Sequence, residues 1–197
     1  MEEQNKTITI PLDKPLTDAS GKLSWEAVEL HEPALIEVSQ FFDEQKKNGA
    51  LSAAGLLISL LSGIPTTAVK RLPFSSFKQC EAFILTFLNF KPEESDPSAV
   101  PASATSIMLS RQLEDNNGKQ AWVSVDLCEP YLEQVDQFYK TQTAKGGLTA
   151  MATLVSELAG IPLPVINRLS FTDYKRCETY LLVFLNYSPT AADGVTA

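Results

Sequence analysis

Few side chains in this sequence could perform covalent or acid–base chemistry, and none has a partner at a useful spacing. The single histidine, His31, precedes a Glu-Pro pair, and before a second Glu-Pro pair the chain has Cys128 instead. Nucleophilic or general-base catalysis normally uses a His, Cys or Ser with a neighbouring partner. Cys80 and Cys177 lie on apolar helical stripes beside aromatic residues, where a thiol stays protonated. We therefore expect structural roles for these residues and no catalytic site.

Two other patterns resemble ligand sites only superficially. Asp115–Gly118 offers oxygen ligands, but it lacks the twelve-residue ligand series of a calcium loop, and the equivalent turn contains Ala19 and Ser20. Gly146 and Gly147 are not followed by a phosphate-loop pattern. The first pattern indicates a tight turn, and we expect no metal, nucleotide or other cofactor.

Charge and composition narrow the classes of partner. The 197 residues include 24 acidic and 16 basic side chains, a net charge of -8, which repels nucleic acid and anionic membrane surfaces. The acidic start of the chain lacks the order of a secretory signal, and no apolar run reaches the roughly 20 residues of a membrane span. Three cysteines without metal-ligand spacing fit a reducing compartment. A soluble, cytoplasmic protein is expected.

The chain contains an internal repeat in which residue n corresponds to residue n+97. Residues 8–90 and 105–187 align without a gap and share 35 identities in 83 positions. The matched landmarks include these pairs: Gly21/Gly118, Trp25/Trp122, Gly49/Gly146, Gly63/Gly160 and Cys80/Cys177. The repeat predicts a first domain at 1–92, a linker rich in Pro, Ser, Ala and Glu at 93–104, a second domain at 105–188 and a flexible tail at 189–197.

Each copy begins with a pattern that is typical of a β-hairpin. Apolar and polar residues alternate over Thr7–Leu12, and a second apolar run follows the turn at Asp18–Gly21. Glu32-Pro33 then predicts a helix that ends at Gly49, with an apolar stripe at three- and four-residue spacing. In the two copies the stripe residues are Leu35, Val38, Phe41 and Phe42, and Leu132, Val135, Phe138 and Tyr139.

Three more helices are expected in each copy. A second helix runs from about Ser52 to Ser62, and a short third helix ends near Leu72. The fourth begins after a polar N-cap, for which the candidates are Ser75 or Ser76 and, in the second copy, Thr172 or Asp173. The predicted fold class is α+β, predominantly α-helical: two tandem copies of a β-hairpin plus four-helix domain.

The second helix is the place where the copies differ most informatively. Thr153 and Glu157 lie opposite the apolar stripe in the second copy, but the first copy has Leu56 and Leu60 there. We interpret the leucines as part of a protein interface, where small neighbours permit close approach. The alternative is a helix that is buried more deeply within its own domain. The candidate interface residues are Gly55, Leu56, Ser59 and Leu60.

The order of these elements resembles the tail assembly chaperones of Mu-like contractile-tailed phages. The residues that carry the resemblance in the first copy are Leu57, Leu61, Gly63, Ile64, Pro65, Val69, Leu72 and Phe77–Leu88. In the second copy they are Leu154, Leu158, Gly160, Ile161, Pro162, Ile166, Leu169 and Tyr174–Leu185. Two features depart from the family pattern: members usually have one such domain, and they commonly have an Asp near the start of the last helix, where this chain has Asp173 but Ser76.

The resemblance implies a non-enzymatic phage tail assembly chaperone in the host bacterial cytoplasm. It would bind the tape-measure protein, without a cofactor, while tail-tube subunits assemble, and it could form a homo-oligomer. The alternative is another phage-encoded interaction protein that uses the duplicated scaffold, either a virion component or an inhibitor of a host target. An enzyme ranks third, since only a pocket of polar groups with shifted pKa values would support one.

Overall fold

The computed structural model of the protein describes residues 6–18, 20–92, 102–115 and 117–186. The first repeat consists of β1 (Thr7–Thr17), β2 (Ser24–His31), α1 (Leu35–Asn48), α2 (Ala50–Ser62), α3 (Thr66–Val69) and α4 (Phe74–Leu88). The second repeat has the same order: β3 (Ala104–Glu114), β4 (Ala121–Cys128), α5 (Leu132–Lys145), α6 (Gly147–Ala159), α7 (Leu163–Ile166) and α8 (Phe171–Leu185). The predicted fold class, two β-hairpin plus four-helix repeats, is confirmed.

The chain divides into two compact units. Unit 1 comprises the described residues up to Phe90 together with the short segment Arg168–Phe171, and unit 2 comprises the other described residues. Most of the predicted linker, residues 93–101, and the whole predicted tail, residues 189–197, lie outside the described residues. The exact domain boundaries therefore stay predictions.

Both hairpins contain an irregularity at the same place in their antiparallel ladders. The register shifts between Pro11 and Leu16 in β1, and between Met108 and Leu113 in β3. Extra residues on one strand of a pair form a bulge, which turns the strand and frees backbone groups from the ladder. Each repeat therefore has a bulged first strand, although the two bulge sequences differ.

The first two helices of each repeat are joined by one glycine. α1 ends at Asn48 and α2 begins at Ala50, so Gly49 alone forms the elbow, with a φ of 85°. Gly146 repeats this arrangement with a φ of 87°. Residues with a side chain rarely adopt such φ values, which explains why both copies have glycine there.

Helix α2 lies at the centre of the hydrophobic core of unit 1. It contacts α1, α3, α4 and β2. Since α2 carries no charged side chain, its inner side can be covered by apolar groups alone. The buried core residues are Ile10, Leu16, Val28, Leu30, Phe41, Ala53, Ala54, Leu57, Ile58, Leu61, Ile64, Ala68, Val69, Cys80, Phe83, Ile84 and Phe87.

The apolar stripe predicted for the first helix is buried differently in the two repeats. In α1, Leu35 is 2 % exposed and Val38 is fully buried. In α5, Phe138 is buried, but Leu132 is 85 % exposed and Tyr139 is 48 % exposed. The stripe of the second repeat therefore carries exposed residues that the stripe of the first repeat does not. A periodic pattern indicates which residues share a face but not what covers that face.

The predicted starts of three helices need correction. α4 begins at Phe74 with Pro73 at its N-cap and no side-chain capping bond, so Ser75 and Ser76 both lie inside the first turn. A proline before the helix fixes a φ of -54°, which suits this entry without a polar cap. α8 likewise begins at Phe171, before both of its predicted caps. α1 begins two residues after the Glu-Pro pair that was expected to open it.

Candidate protein interface

Two leucines of α2 lie outside the buried core. Leu56 and Leu60 are four residues apart, so they share one face of the helix. Both are partly exposed, whereas Leu57, Ile58 and Leu61 are at most 3 % exposed and form the core face. The described core of unit 1 includes neither Leu56 nor Leu60. The helix thus has one buried apolar face and a second apolar face that remains in contact with solvent.

A further exposed apolar side chain of α2 lies on a different side of the helix from Leu56 and Leu60. Leu51 is 68 % exposed and lies one turn before Gly55. A Cβ at Gly55 would meet no atom within 4 Å, so there is open space above the backbone at this point. Leu51 and Gly55 lie along one edge of the side of α2 that faces away from the core, and Leu56 and Leu60 lie along the other; we call these four residues together the α2 outer face. Leu51 carried no signal in the sequence, because the second repeat also has a leucine, Leu148, at the equivalent position.

Ser59, the remaining candidate, has a local structural role. Its Oγ donates a hydrogen bond to the backbone oxygen of Ile64 at 2.6 Å and accepts one from Thr66 Oγ1 at 3.2 Å. The second repeat forms the equivalent bond from Ser156 to Ile161, also at 2.6 Å. Both repeats therefore use this serine to hold the turn after the second helix.

The equivalent surface of the second repeat is polar. Thr153 is partly exposed, and its hydroxyl donates to the backbone oxygen of Thr149 at 2.8 Å. Glu157 is exposed. Ala152, which corresponds to Gly55, is 2 % exposed. The difference between the two helices that the sequence indicated is therefore present on their surfaces.

Hydrogen bonds fix the start of α2 against α1 in the first repeat. Glu44 Oε1 accepts from Ser52 Oγ at 2.5 Å and from Asn48 Nδ2 at 2.9 Å. The bond from Ser52, and then that from Asn48, lower the pKa of the Glu44 carboxyl because they favour its charged form. The second repeat has Thr141 at the position of Glu44. The orientation of the α2 outer face is thus supported by a carboxylate that only the first repeat contains.

The side chains considered for catalysis have structural surroundings. His31 Nδ1 donates to the backbone oxygen of Glu32 at 2.9 Å. Burial raises the pKa of the Cys80 thiol to about 11 and that of the Cys177 thiol to about 12, so both are protonated at neutral pH and unreactive. Among the described residues, no group of three or more His, Cys, Asp or Glu side chains is placed to hold a metal ion.

The Asp-rich turn of the second hairpin is organised by backbone hydrogen bonds. Asp115 Oδ1 accepts from the amides of Asn117, Lys119 and Gln120 at 3.2, 2.7 and 3.4 Å. Desolvation is the largest single influence on the pKa of Asp115 and raises it, but these bonds together outweigh it, and the pKa is lowered. Asp18 binds its own turn in the same way. This geometry supports turn chemistry rather than a calcium loop.

A buried carboxylate closes the bulge of the second hairpin. Asp173 is 1 % exposed, and its Oδ2 accepts from the amide of Ser110 at 2.9 Å and from the hydroxyl of Ser110 at 2.7 Å. Arg176 Nη1 lies 3.0 Å from its other oxygen. In the first repeat the two residue types are exchanged, with Asp13 on the strand and Ser76 on the helix. This exchange indicates that the strand position and the helix position contact each other, a signal that the sequence-based predictions did not use.

Comparison with known families identifies the first repeat. Residues 9–89 match the family described as phage tail assembly chaperone proteins, E, or 41 or 14. The first repeat is similar to the phage tail assembly chaperone family over this range, which is less than half of the chain. The match runs from β1 to the end of α4, and it therefore includes the α2 outer face. No curated protein and no solved structure matched the chain.

The family match settles two expectations. The predicted resemblance to tail assembly chaperones is confirmed at the level of the family. Tail assembly chaperones are assembly factors rather than enzymes, so the prediction of a non-enzymatic protein is confirmed as well. Within the described residues, no helix of this protein is long and apolar enough to span a bilayer.

Proposed function

We propose that this protein is a tail assembly chaperone of a Mu-like contractile-tailed phage. It binds the tape-measure protein in the host cytoplasm and keeps it from aggregating while tail-tube subunits assemble around it. The α2 outer face of the first repeat is the binding surface. The observation that carries this proposal is that the repeat that matches the chaperone family is also the one with an apolar second helix on its outer side.

The α2 outer face has the properties needed to bind an amphipathic helix. Such a helix places apolar side chains at three- and four-residue spacing into an apolar surface. Leu56 and Leu60 supply one such row along one edge of the face, and the open space above Gly55 leaves room for a second backbone beside Leu51 at the other edge. An extended tape-measure helix would present many such rows in succession.

The size of this surface favours binding that can be reversed. Fully burying a leucine side chain contributes about 1.5–3 kcal/mol, so covering the 68 % of Leu51 that is exposed contributes about 1–2 kcal/mol. Leu56 and Leu60 are already partly covered and contribute less each. A total of a few kcal/mol per site is suited to a chaperone, because it must release its partner when the tail tube closes around it.

Co-expression with the tape-measure protein from the same genome tests the proposal. Leu60→Glu introduces the residue type found at the equivalent position 157 and should reduce co-purification at least tenfold, since a charge on an apolar contact surface must be desolvated on binding. Leu182→Glu is the matched control, because Leu182 is a 37 % exposed leucine in α8. It should leave both binding and the solubility of the partner unchanged.

The outcome distinguishes binding from folding. Both variants should melt close to the wild-type temperature, because both leucines are partly solvent-exposed. Unchanged co-purification and unchanged partner solubility with Leu60→Glu would refute the proposed surface. Recovery of the protein in mature particles, measured by mass spectrometry, would instead indicate a virion component.

A further inference from the structure

A short backbone contact in unit 1 joins two stretches that each occur twice in the chain. One stretch, Glu32–Leu35, leads into α1, and we call it the entry turn. The other, Arg168–Phe171, precedes and begins α8, and we call it the Arg-Leu segment. Ala34 of the entry turn and Ser170 of the Arg-Leu segment form an antiparallel bridge. The equivalent entry turn lies in the second repeat and contains Glu129-Pro130. The equivalent Arg-Leu segment lies in the first repeat and contains Arg71-Leu72.

Two hydrogen bonds hold this contact together. The amide of Leu35 donates to the backbone oxygen of Leu169 at 2.9 Å, and the amide of Phe171 donates to the backbone oxygen of Pro33 at 2.8 Å. Both donors are first-turn amides of helices, which have no acceptor within their own helix. Leu35, Leu169 and Phe171 are 2, 0 and 4 % exposed. The contact thus buries apolar side chains and satisfies two helix starts at once.

The other copies of these two stretches are exposed. In the entry turn of the second repeat, Tyr131 is 73 % exposed and Leu132 is 85 % exposed. In the Arg-Leu segment of the first repeat, Phe74 is 68 % exposed and its ring stacks on Phe77 at 5.9 Å. The chain therefore has one joined pair of these surfaces and one open pair, and the open pair includes Leu132 and Tyr131, the two most exposed large apolar side chains among the described residues.

The open pair has the backbone groups that form these two hydrogen bonds. The donors are the amides of Leu132 and Phe74, and the acceptors are the backbone oxygens of Leu72 and Pro130. The residue that replaces Ser170 is Pro73, which has no amide hydrogen, but the two backbone bonds described above are donated by Leu35 and Phe171. The open pair can therefore form the same two backbone hydrogen bonds.

The side chains of the open pair also complement each other. The central bridge changes from Ala34 and Ser170 to Tyr131 and Pro73, which is a more apolar combination. Glu129 and Glu133 are exposed beside the open entry turn. Lys70 and Arg71 are exposed beside the open Arg-Leu segment, so the charges around the two surfaces are opposite in sign.

We propose that a second copy of this chain occupies the open surfaces, with the entry turn of its second repeat bound to the Arg-Leu segment of the first repeat of its neighbour. The contact is head to tail, because the two surfaces differ. Contacts of this type build rings if the rotation between neighbours closes, and open filaments if it does not. The inference does not depend on the identity of the tape-measure partner.

Sedimentation velocity of the full chain over a range of concentrations tests the proposal. The wild type should associate as concentration rises, whereas Leu132→Glu and Phe74→Glu should each weaken association at least tenfold, because each places a charge in the apolar centre of the contact. Met108→Glu is the control, because Met108 is 64 % exposed on the hairpin of the same unit as Leu132. A wild type that stays monomeric, or single variants that associate as it does, would overturn the proposal.

Mixing the two variants gives the decisive signature. Leu132→Glu retains an intact Phe74 surface, and Phe74→Glu retains an intact Leu132 surface. An equimolar mixture should therefore form dimers and nothing larger, while each variant alone stays monomeric. A mixture that remains monomeric contradicts the head-to-tail contact. Circular dichroism of each variant should match the wild type, since both side chains are exposed.

Disulfide cross-linking tests the contact without an added charge. Bridge partners in an antiparallel pair have their Cα atoms close enough for a disulfide. In a Cys128→Ser background, which removes the exposed thiol, Tyr131→Cys with Pro73→Cys should give a ladder of covalent oligomers under oxidation. The matched control, Ala34→Cys with Ser170→Cys, should give only a cross-linked monomer. A monomer alone from the first pair would count against the proposal.

Discussion

Replacing Asp173 by alanine should destabilise unit 2 by about 2–4 kcal/mol. Asp173 is 1 % exposed and accepts two hydrogen bonds from Ser110 on the bulge of β3. A hydrogen bond to a charged group contributes about 1.5–3 kcal/mol, and the two bonds share one donor residue, so their sum is less than additive. Arg176 is 46 % exposed, so its ion pair with Asp173 adds at most about 1 kcal/mol.

Each repeat contains one tryptophan, and this permits the effect to be measured in one unit. In a Trp25→Phe background, the fluorescence of Trp122 reports the second repeat alone during unfolding in urea. The exchange Ser110→Asp with Asp173→Ser, which copies the first repeat, should recover part of the lost stability. A loss below about 0.5 kcal/mol for the alanine variant would refute the view that this carboxylate holds the bulge to α8.

Two further results are expected. Because burial raises the pKa of Cys80 to about 11 and of Cys177 to about 12, a thiol reagent at pH 8 should modify only the exposed Cys128 in the native protein and all three cysteines in denaturant; rapid native modification of a second thiol would contradict this. The hydrogen bond from the Ser52 hydroxyl lowers the pKa of Glu44 in the folded state. This bond should therefore stabilise the fold fully above the usual Glu pKa of 4.5, and the stabilisation should be lost as the pH falls through the lower pKa of the folded state. The difference in unfolding midpoint between wild type and Ser52→Ala should therefore narrow in acid. A difference that stays constant with pH would contradict this role of the Ser52–Glu44 hydrogen bond.

The internal repeat made much of the fold predictable from the sequence. Two aligned copies reveal which positions must keep an apolar or glycine residue, and these positions marked the hairpins and the ends of the helices. Gly49 and Gly146 are an example, because the positive φ of a one-residue elbow admits little else. The helix starts were less predictable, since a proline N-cap such as Pro73 replaces the polar cap that the sequence rules favour.

Surroundings, rather than sequence pattern, determine burial, and here sequence reasoning failed. Leu35 and Leu132 are equivalent leucines at equivalent helix starts, yet they are 2 % and 85 % exposed. The amide of Leu35 donates a hydrogen bond to the backbone oxygen of Leu169, which lies more than one hundred residues away in the chain. No periodicity within either repeat contains that information.

The candidate interface was predictable only where the copies differ. Leu56 and Leu60 were identified by contrast with Thr153 and Glu157. Leu51 has a leucine as its counterpart, so the comparison gave no signal there although its side chain is exposed.

The one-glycine elbow between α1 and α2 limits where this protein can accept extra residues. With no loop between the helices, an inserted residue would rotate α2 by about 100° about its axis and would carry its core leucines toward water. The exposed hairpin turn near Gly21 carries no such constraint, because the strands on either side end there. Affinity tags, fluorescent reporters and natural insertions should therefore be tolerated at the hairpin turn and excluded from the elbow.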